Sequence, residues 1–275
     1  YEIMPSLVGS EMCIRDRAII GVCKRMKKFA DYIEPGQEIK AADLYRLYTD
    51  RWLSKNIEEE RTFTSRADKI FFMEELAWEM YRSERLSIHY TELPERILRY
   101  FELERAEELD YFDFDLRTQS FLQRDGAGNY FFAHKSFMEY FVACKFAREL
   151  GILPPLVEEE AAGRTWRRKL PEPLPLAQTF GLRILPPEVR NFLADMVTDP
   201  NPLWAAIEST KGKTFEQVRY TGSNAATLLV QCQFAFTNAD LSYTVLVEAD
   251  FSDAKLDGTD FIGADLELVR FTNAS

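Results

Sequence analysis

Near the C-terminus the chain reads Ala239-Asp240-Leu241-Ser242-Tyr243-Thr244-Val245-Leu246-Val247-Glu248-Ala249-Asp250-Phe251. Leu or Phe stands at every fifth position and goes on doing so, at Leu241, Leu246, Phe251, Leu256, Phe261, Leu266 and Phe271. Two residues before each lies a small or β-branched one: Ala239, Thr244, Ala249, Ala254, Thr259, Ala264 and Val269. A helix repeats its faces every ~3.6 residues and a strand every ~2, so a period of five belongs to neither and marks a repeat architecture.

This pattern resembles the pentapeptide-repeat family, A(D/N)LXX, across residues 234–275. The resemblance implies a short right-handed quadrilateral β-helix, each pentapeptide making one side, four making a coil, and coils stacking at about strand spacing. The large residue and its small partner would fill the interior. Outward positions would hold Asp240, Glu248, Asp250, Asp253, Asp257, Asp260, Asp265 and Glu267 against Lys255 and Arg270, an acidic exterior. About two coils are present where roughly three repeats usually stabilise a stack, and the pattern stops in mid-repeat at Ser275, which reads as a truncated C-terminus. A long dimeric rod of acidic coils could imitate the charge of DNA; a recognition or spacer module is the plainer reading.

Upstream of the repeats, residues 188–232 show helical spacing, and residues 152–190 are punctuated by Pro154, Pro155, Pro171, Pro173, Pro175, Pro186 and Pro187. Together they predict a helical connector over 152–232. Arg164, Arg167, Arg168 and Lys169 are its only basic cluster, read as a solvated helix face rather than a phosphate site. Before it, Leu116 to Gln123 and Tyr130 to Ala133 are strand-like runs around Asp125-Gly126-Ala127-Gly128-Asn129, a hairpin signal. Ser136 with Glu139 reads as a capping box opening a helix with the stripe Phe137, Tyr140, Phe141 and Cys144, ended by Gly151. Ser65 with Asp68 opens a helix that places Ile70, Met73, Leu76, Ala77 and Met80 on one face, and Thr91 opens another through Ile97 to Phe101 with Pro94 in its first turn. From Ala18 to Glu60 two helices fit, split by Pro35-Gly36, with Ile19, Ile20, Cys23 and Met26 on the first and Leu44, Leu47, Tyr48 and Trp52 on the second.

The predicted fold is therefore mainly α, a helical bundle with a winged-helix hairpin, followed by the β-helix. Its predicted organisation is a helical domain at 18–60, a winged-helix domain at 61–151, the connector at 152–232 and the pentapeptide repeats at 233–275. The string from Leu7 to Arg17 resembles translated sequencing-adapter read-through, so residues 1–17 are set aside and the natural N-terminus is expected to lie elsewhere.

Asp115-Leu116-Arg117-Thr118-Gln119-Ser120-Phe121-Leu122, followed by Gly128 through Phe132-Ala133-His134-Lys135-Ser136-Phe137-Met138-Glu139-Tyr140 to Ala143, resembles the winged-helix end of NACHT-type STAND NTPases. The family pattern there is approximately FxHxSFxEYxxA, and every fixed position is met. Leu44-Tyr45, Trp52-Leu53 and Glu75-Leu76-Ala77 resemble the helical region before it, so the similarity covers roughly residues 40–150. A NACHT module joined to pentapeptide repeats is a known bacterial arrangement. The resemblance implies ATP or ADP with Mg in the whole protein, and a role for His134 in contacting the β-phosphate of ADP and holding the resting state closed. It also implies a nucleotide switch in signal transduction, with antiphage defence as a plausible setting.

The departure from that family concerns catalysis. No GxxxxGK[ST] occurs; Gly212-Lys213-Thr214 would need a glycine where Ile207 stands. The phosphate cradle, magnesium ligands and catalytic carboxylates are expected upstream, and this chain by itself is expected to be no enzyme, with no catalytic residue and no cofactor of its own. The alternative reading is a non-enzymatic pentapeptide-repeat scaffold that binds protein. A DNA-binding winged-helix regulator is disfavoured because Glu92, Glu95 and Glu102 stand beside Arg96 and Arg99, with Glu104, Glu107 and Glu108 following.

Composition agrees with these readings. With 275 residues, 46% hydrophobic and 29% charged, the chain can bury a real core. Its net charge of −11 disfavours nucleic acid and anionic membranes as partners and leaves protein partners or self-association. Cys13, Cys23, Cys144 and Cys232 lie far apart with no CxxC, and His89 and His134 sit in separate elements, which supports neither a disulfide framework nor a metal site and points to a reducing cytoplasmic setting.

Overall fold

Helix α1 (Ala41–Glu58) opens the described part of the chain, a computed structural model covering residues 40–58, 65–103, 108–110, 114, 121–157, 167–169 and 172–275. The expectations for residues 1–39, for the strand start at 116–120, and for Glu104, Glu107 and Arg164 lie outside those residues.

Ser65 caps α2 (Arg66–Arg82) as its spacing predicts, its hydroxyl accepting from the Asp68 N–H at 3.1 Å. The single apolar face predicted for this helix is too narrow. Phe71, Phe72, Trp78 and Tyr81 are buried along with Ile70, Met73, Leu76, Ala77 and Met80. A helix apolar on every side goes to the centre, and it takes Asp68, Lys69, Glu74 and Glu75 inside with it. Buried charges need partners, and α4 (Lys135–Glu149) supplies two of them. Arg148 Nε lies 3.1 Å from both Glu74 oxygens, and Lys145 Nζ lies 2.6 Å from Glu75.

Between α2 and α4 run β1 (Ile88–His89), a 3₁₀ turn (Tyr90–Glu92), α3 (Leu93–Tyr100), β2 (Phe101–Glu102), β3 (Leu122–Arg124) and β4 (Asn129–Phe132). The predicted hairpin is present, β3 pairing antiparallel with β4 in the register Leu122↔Phe132. Asp125 tightens its turn by accepting from the N–H groups of Ala127 and Asn129. On the other edge of β4 lies β1, with Ile88 opposite Tyr130, so the sheet order is β1-β4-β3. A two-residue strand has too little alternation to be read from sequence. Helix α3 starts at Leu93, not Thr91, because Thr91 lies in the 3₁₀ turn, where the Glu92 carboxylate accepts from the His89 N–H at 3.1 Å.

Phe101 leaves α3 as a strand and pairs with β5 (Arg167–Arg168), which corrects the reading of that basic cluster as a solvated helix face. Arg168 is buried, its Nε 2.6 Å from Asp68 Oδ1, and Lys169 Nζ donates to Leu98 O. The carboxylate on α2 draws Arg168 in, while Arg167 and Lys169 stay exposed on either side of it.

The connector carries α5 (Pro187–Met196), α6 (Asn201–Glu208), α7 (Phe215–Val218) and α8 (Thr221–Gln231). Asn224 of α8 ties it down, donating to Phe180 O and Arg183 O and accepting from Leu185 N–H. α5 packs on α4 and α1, and α8 on α6. One hydrophobic cluster runs from Ala42 through all these layers to Ala254.

Beyond α8 the chain returns on itself every twenty residues. Parallel bridges join Asp240 to Asp260, Val245 to Asp265 and Asp250 to Arg270. Leu241, Leu246 and Phe251 donate N–H bonds of 2.8–2.9 Å to the carbonyls of Asp260, Asp265 and Arg270. Inside each pentapeptide a turn closes, as where Ala239 N–H meets Phe236 O. The third residue of each turn has positive φ: Asn238, Tyr243, Glu248, Asp253, Gly258, Gly263, Leu268 and Asn273. Phe236, Leu241, Leu246 and Phe251 are wholly buried; the second circuit is more open, Phe271 being 42% exposed. The first circuit sits against the helices. Thr210 and Thr227 hydroxyls accept from Val245 and Asp250 N–H, and Gly222 lets the Val245 carbonyl approach where a Cβ would stand 2.3 Å from it. Among the described residues no helix is long and apolar enough to cross a membrane.

Candidate functional site

His134 is the N-cap of α4, in extended backbone (φ −149°, ψ 141°). The sequence reading gives this place to Ser136, and the structure corrects it. Histidine is not a favoured cap, yet here the imidazole Nδ1 accepts the Ser136 N–H at 3.2 Å and stands against Ser136 Oγ. Ser136 therefore lies inside the helix, and Glu139, its supposed capping-box partner, pairs with Lys135 at 2.8 Å.

A third residue joins from far along the chain. The Tyr45 hydroxyl on α1 donates to Ser136 Oγ at 2.6 Å, across 91 positions. Tyr45 is held by aromatic rings on three sides, Phe137 at 5.1 Å, Tyr140 at 5.4 Å and Phe192 at 4.8 Å. With Tyr45 donating, the Ser136 hydrogen is left for Nδ1. Two donors then point at Nδ1, so the proton of the neutral ring sits on Nε2. Nε2 has no hydrogen-bond partner among the described residues, and the ring is half-buried at a helix N-terminus, where the dipole favours an anion. The sequence pattern points to His134 and Ser136; nothing local in the sequence points to Tyr45.

The other residues singled out in the sequence do not converge here. His89 is satisfied within its own turn, Nδ1 against Thr91 Oγ1 at 2.7 Å and the ring packed on Tyr90 at 4.5 Å. Gly212-Lys213-Thr214 follows helix α6, not a strand; Gly212 N–H bonds Tyr243 O, and Thr214 caps the short α7. Cys144 is buried on α4, burial pushing its thiol pKa well up, while Cys232 lies on another element. Among the described residues no three His, Cys, Asp or Glu side chains gather as metal ligands.

The acidic exterior of the repeats is partly structural. Asp240, Asp250, Asp260 and Asp265 each accept from the backbone N–H two residues on, at Ser242, Ser252, Ile262 and Glu267. Hydrogen bonds from Ser242 and Lys211 hold the Asp240 carboxyl well below the usual range. Lys211 also fastens the first circuit to the connector, 2.9 Å from Asp240.

The twenty-residue circuit, the buried Leu and Phe and the aspartate turns identify this segment. Residues 236–273 are pentapeptide repeats. The pentapeptide-repeat family model matches them with eight copies. This chain is 35% identical over 253 residues to an uncharacterized WD repeat-containing protein of Nostoc sp., an alignment covering 79% of this chain and 17% of that relative. The chain thus spans only a small part of the relative's length. No solved structure matches it.

Proposed function

We propose that the chain is the regulatory and sensor part of a bacterial NACHT-type STAND signalling NTPase, residues 61–151 forming its winged-helix domain and 233–275 a right-handed quadrilateral β-helix. A hairpin that recruits a short strand from between two helices supports the first assignment, and parallel bridging at twenty-residue intervals supports the second. Antiphage defence is the setting that the motif resemblance suggests.

The observation that carries this reading is the Tyr45–Ser136–His134 relay, which leaves a directed N–H donor at the start of α4. Among the described residues the fit to ADP is limited to this one donor and the adjacent helix N-terminus; the phosphate loop and magnesium ligands belong to the part of the protein outside this chain. When bound, ADP supplies the anionic oxygen that such a donor recognises. His134 holds that oxygen, and Tyr45 and Ser136 keep Nε2 protonated for it. One hydrogen bond to a charged group is worth ~1.5–3 kcal/mol, roughly a ten- to hundred-fold bias of the switch.

In the full-length protein, His134→Leu is expected to lower ADP retention and raise basal oligomerisation, whereas His89→Leu does neither. Unchanged ADP retention and basal state in a folded His134→Leu protein would remove this role. A second reading, a non-enzymatic scaffold for a basic protein surface, draws on the acidic exterior of the repeats and on the repeat architecture named in the Nostoc relative. It requires no response to the His134 substitution.

A further inference from the structure

Asp195 is a carboxylate at the wrong end of a helix. It lies in the last turn of α5 (Pro187–Met196), where the helix dipole disfavours an anion. Its Oδ2 serves another helix instead, accepting the Ala42 N–H of α1 at 3.1 Å across 153 positions, and the Ala41 N–H addresses the same carboxylate. Both are donors that the first turn of a helix leaves without an intrahelical acceptor, so α1 borrows its cap from α5. Lys40 closes the junction, donating from Nζ to the Asp195 carbonyl at 3.3 Å.

Three residues after Ala42 stands Tyr45, the far member of the His134 relay. Phe192 lies three residues before Asp195, on the same face of α5, and its ring meets Tyr45 edge-on at 4.8 Å. One face of α5 therefore grips α1 twice, at the backbone through Asp195 and at the tyrosine ring through Phe192. The Tyr45 hydroxyl reaches Ser136 Oγ at 2.6 Å, and hydrogen bonds weaken steeply with misalignment, so a small slide of the first turn of α1 breaks it. α5 is also tied to the end of α8, from which the repeats begin. Gln231 Nε2 donates to Asn191 Oδ1 at 2.8 Å, and Cys232 Sγ lies 3.7 Å from Ala194 O.

We infer that Asp195 is a positioning residue for the nucleotide contact, setting Tyr45 on Ser136 and so making the His134 donor depend on how the connector and its repeats seat α5 against α1. This is a regulation of the site proposed above and rests on that reading. When α5 withdraws the carboxylate, the Tyr45 hydroxyl leaves Ser136, whose oxygen can then accept from Nδ1–H. The tautomer that gains has no proton on Nε2 to give to a phosphate oxygen.

The test is nitrogen NMR of His134 in this chain, at a pH where the ring is neutral. Asp195→Ala should lower the ratio of the Nε2–H to the Nδ1–H tautomer by roughly threefold or more, as Tyr45→Phe does. Asp195→Asn, which keeps an acceptor for the Ala42 N–H, should restore the ratio, and Glu188→Ala, exposed at the other end of α5, should leave it unchanged. Lys40 is exposed, so water can reach the start of α1 and Asp195→Ala should fold; if it does not, Asp195→Ser, too short to span to Ala42, is read in the same way. An unaltered ratio in the folded variant, or an equal fall in Glu188→Ala, overturns the proposal. In the full-length protein Asp195→Ala should also lower ADP retention. A shifted ratio with unchanged ADP retention would instead remove the nucleotide reading and leave Asp195 as the residue that positions Tyr45.

Discussion

At the scale of the residue, His134 shows how a side chain acquires a defined chemical state from its neighbours. The Ser136 N–H and hydroxyl both address Nδ1, so at a pH where the ring is neutral, nitrogen NMR should find His134 in the Nε2–H tautomer. A dominant Nδ1–H form would contradict the relay. Leu268 illustrates strain of a different kind. Its φ of +55° is the left-handed region, which costs an L-residue ~1–2 kcal/mol, and its side chain is 70% exposed, so little burial compensates. The equivalent corner one pentapeptide earlier is Gly263. Glycine loses ~0.5–1 kcal/mol of backbone entropy on folding, less than the strain it relieves. Leu268→Gly should therefore raise stability by about 0.5–1 kcal/mol in a urea titration.

At the scale of the element, α2 and α4 are joined by ion pairs inside an aromatic core, and Glu74 makes that seam depend on pH. Burial raises its pKa to about 7 from the ordinary glutamate value of 4.5, against the lowering effect of Arg148. A raised carboxyl pKa means that the folded state holds a proton the unfolded state has released, so stability falls as pH rises through the window from ~4.5 to ~7. Between pH ~5.5 and ~8 the protein should lose about 2 kcal/mol relative to Glu74→Gln, which cannot titrate. Denaturation of both proteins across that range checks the sign. Glu92 runs the other way. Its hydrogen bond from Arg85 holds its pKa near 2, so its contribution is present at neutral pH and disappears only in strong acid.

At the scale of the whole molecule, the repeats are an extension of the helical core. Phe251 is wholly buried, with Phe236, Phe261 and Phe271 at 5.1, 5.8 and 5.6 Å. Phe251→Asp places an unpaired charge among them and should cost several kcal/mol (~3 or more). Asp253→Asn, at an exposed corner whose left-handed backbone suits asparagine, should cost almost nothing. Because one hydrophobic cluster continues from Ala42 to Ala254, calorimetry should show the helical part and the first circuit melting together, with Phe251→Asp lowering that common transition. A tail that melts separately in the unsubstituted protein would sever the two.

The period of five, the capped helix at Ser65, the hairpin at Asp125 and the helical spacing of 188–231 were legible in the amino-acid order because each is a local pattern. Each needs only residues a few positions apart to agree on a backbone shape. What the sequence left open lies where distant segments meet. The burial of Asp68, Glu74 and Glu75 depends on Arg168, Arg148 and Lys145 arriving from 70 to 100 positions away. The two-residue strand β1 exists because β4 offers it an edge. Ser136 lost the cap to His134 once α1 brought the Tyr45 hydroxyl to it. Local propensity chose the elements; desolvated charges and hydrogen bonds, which must be satisfied wherever packing places them, chose their partners.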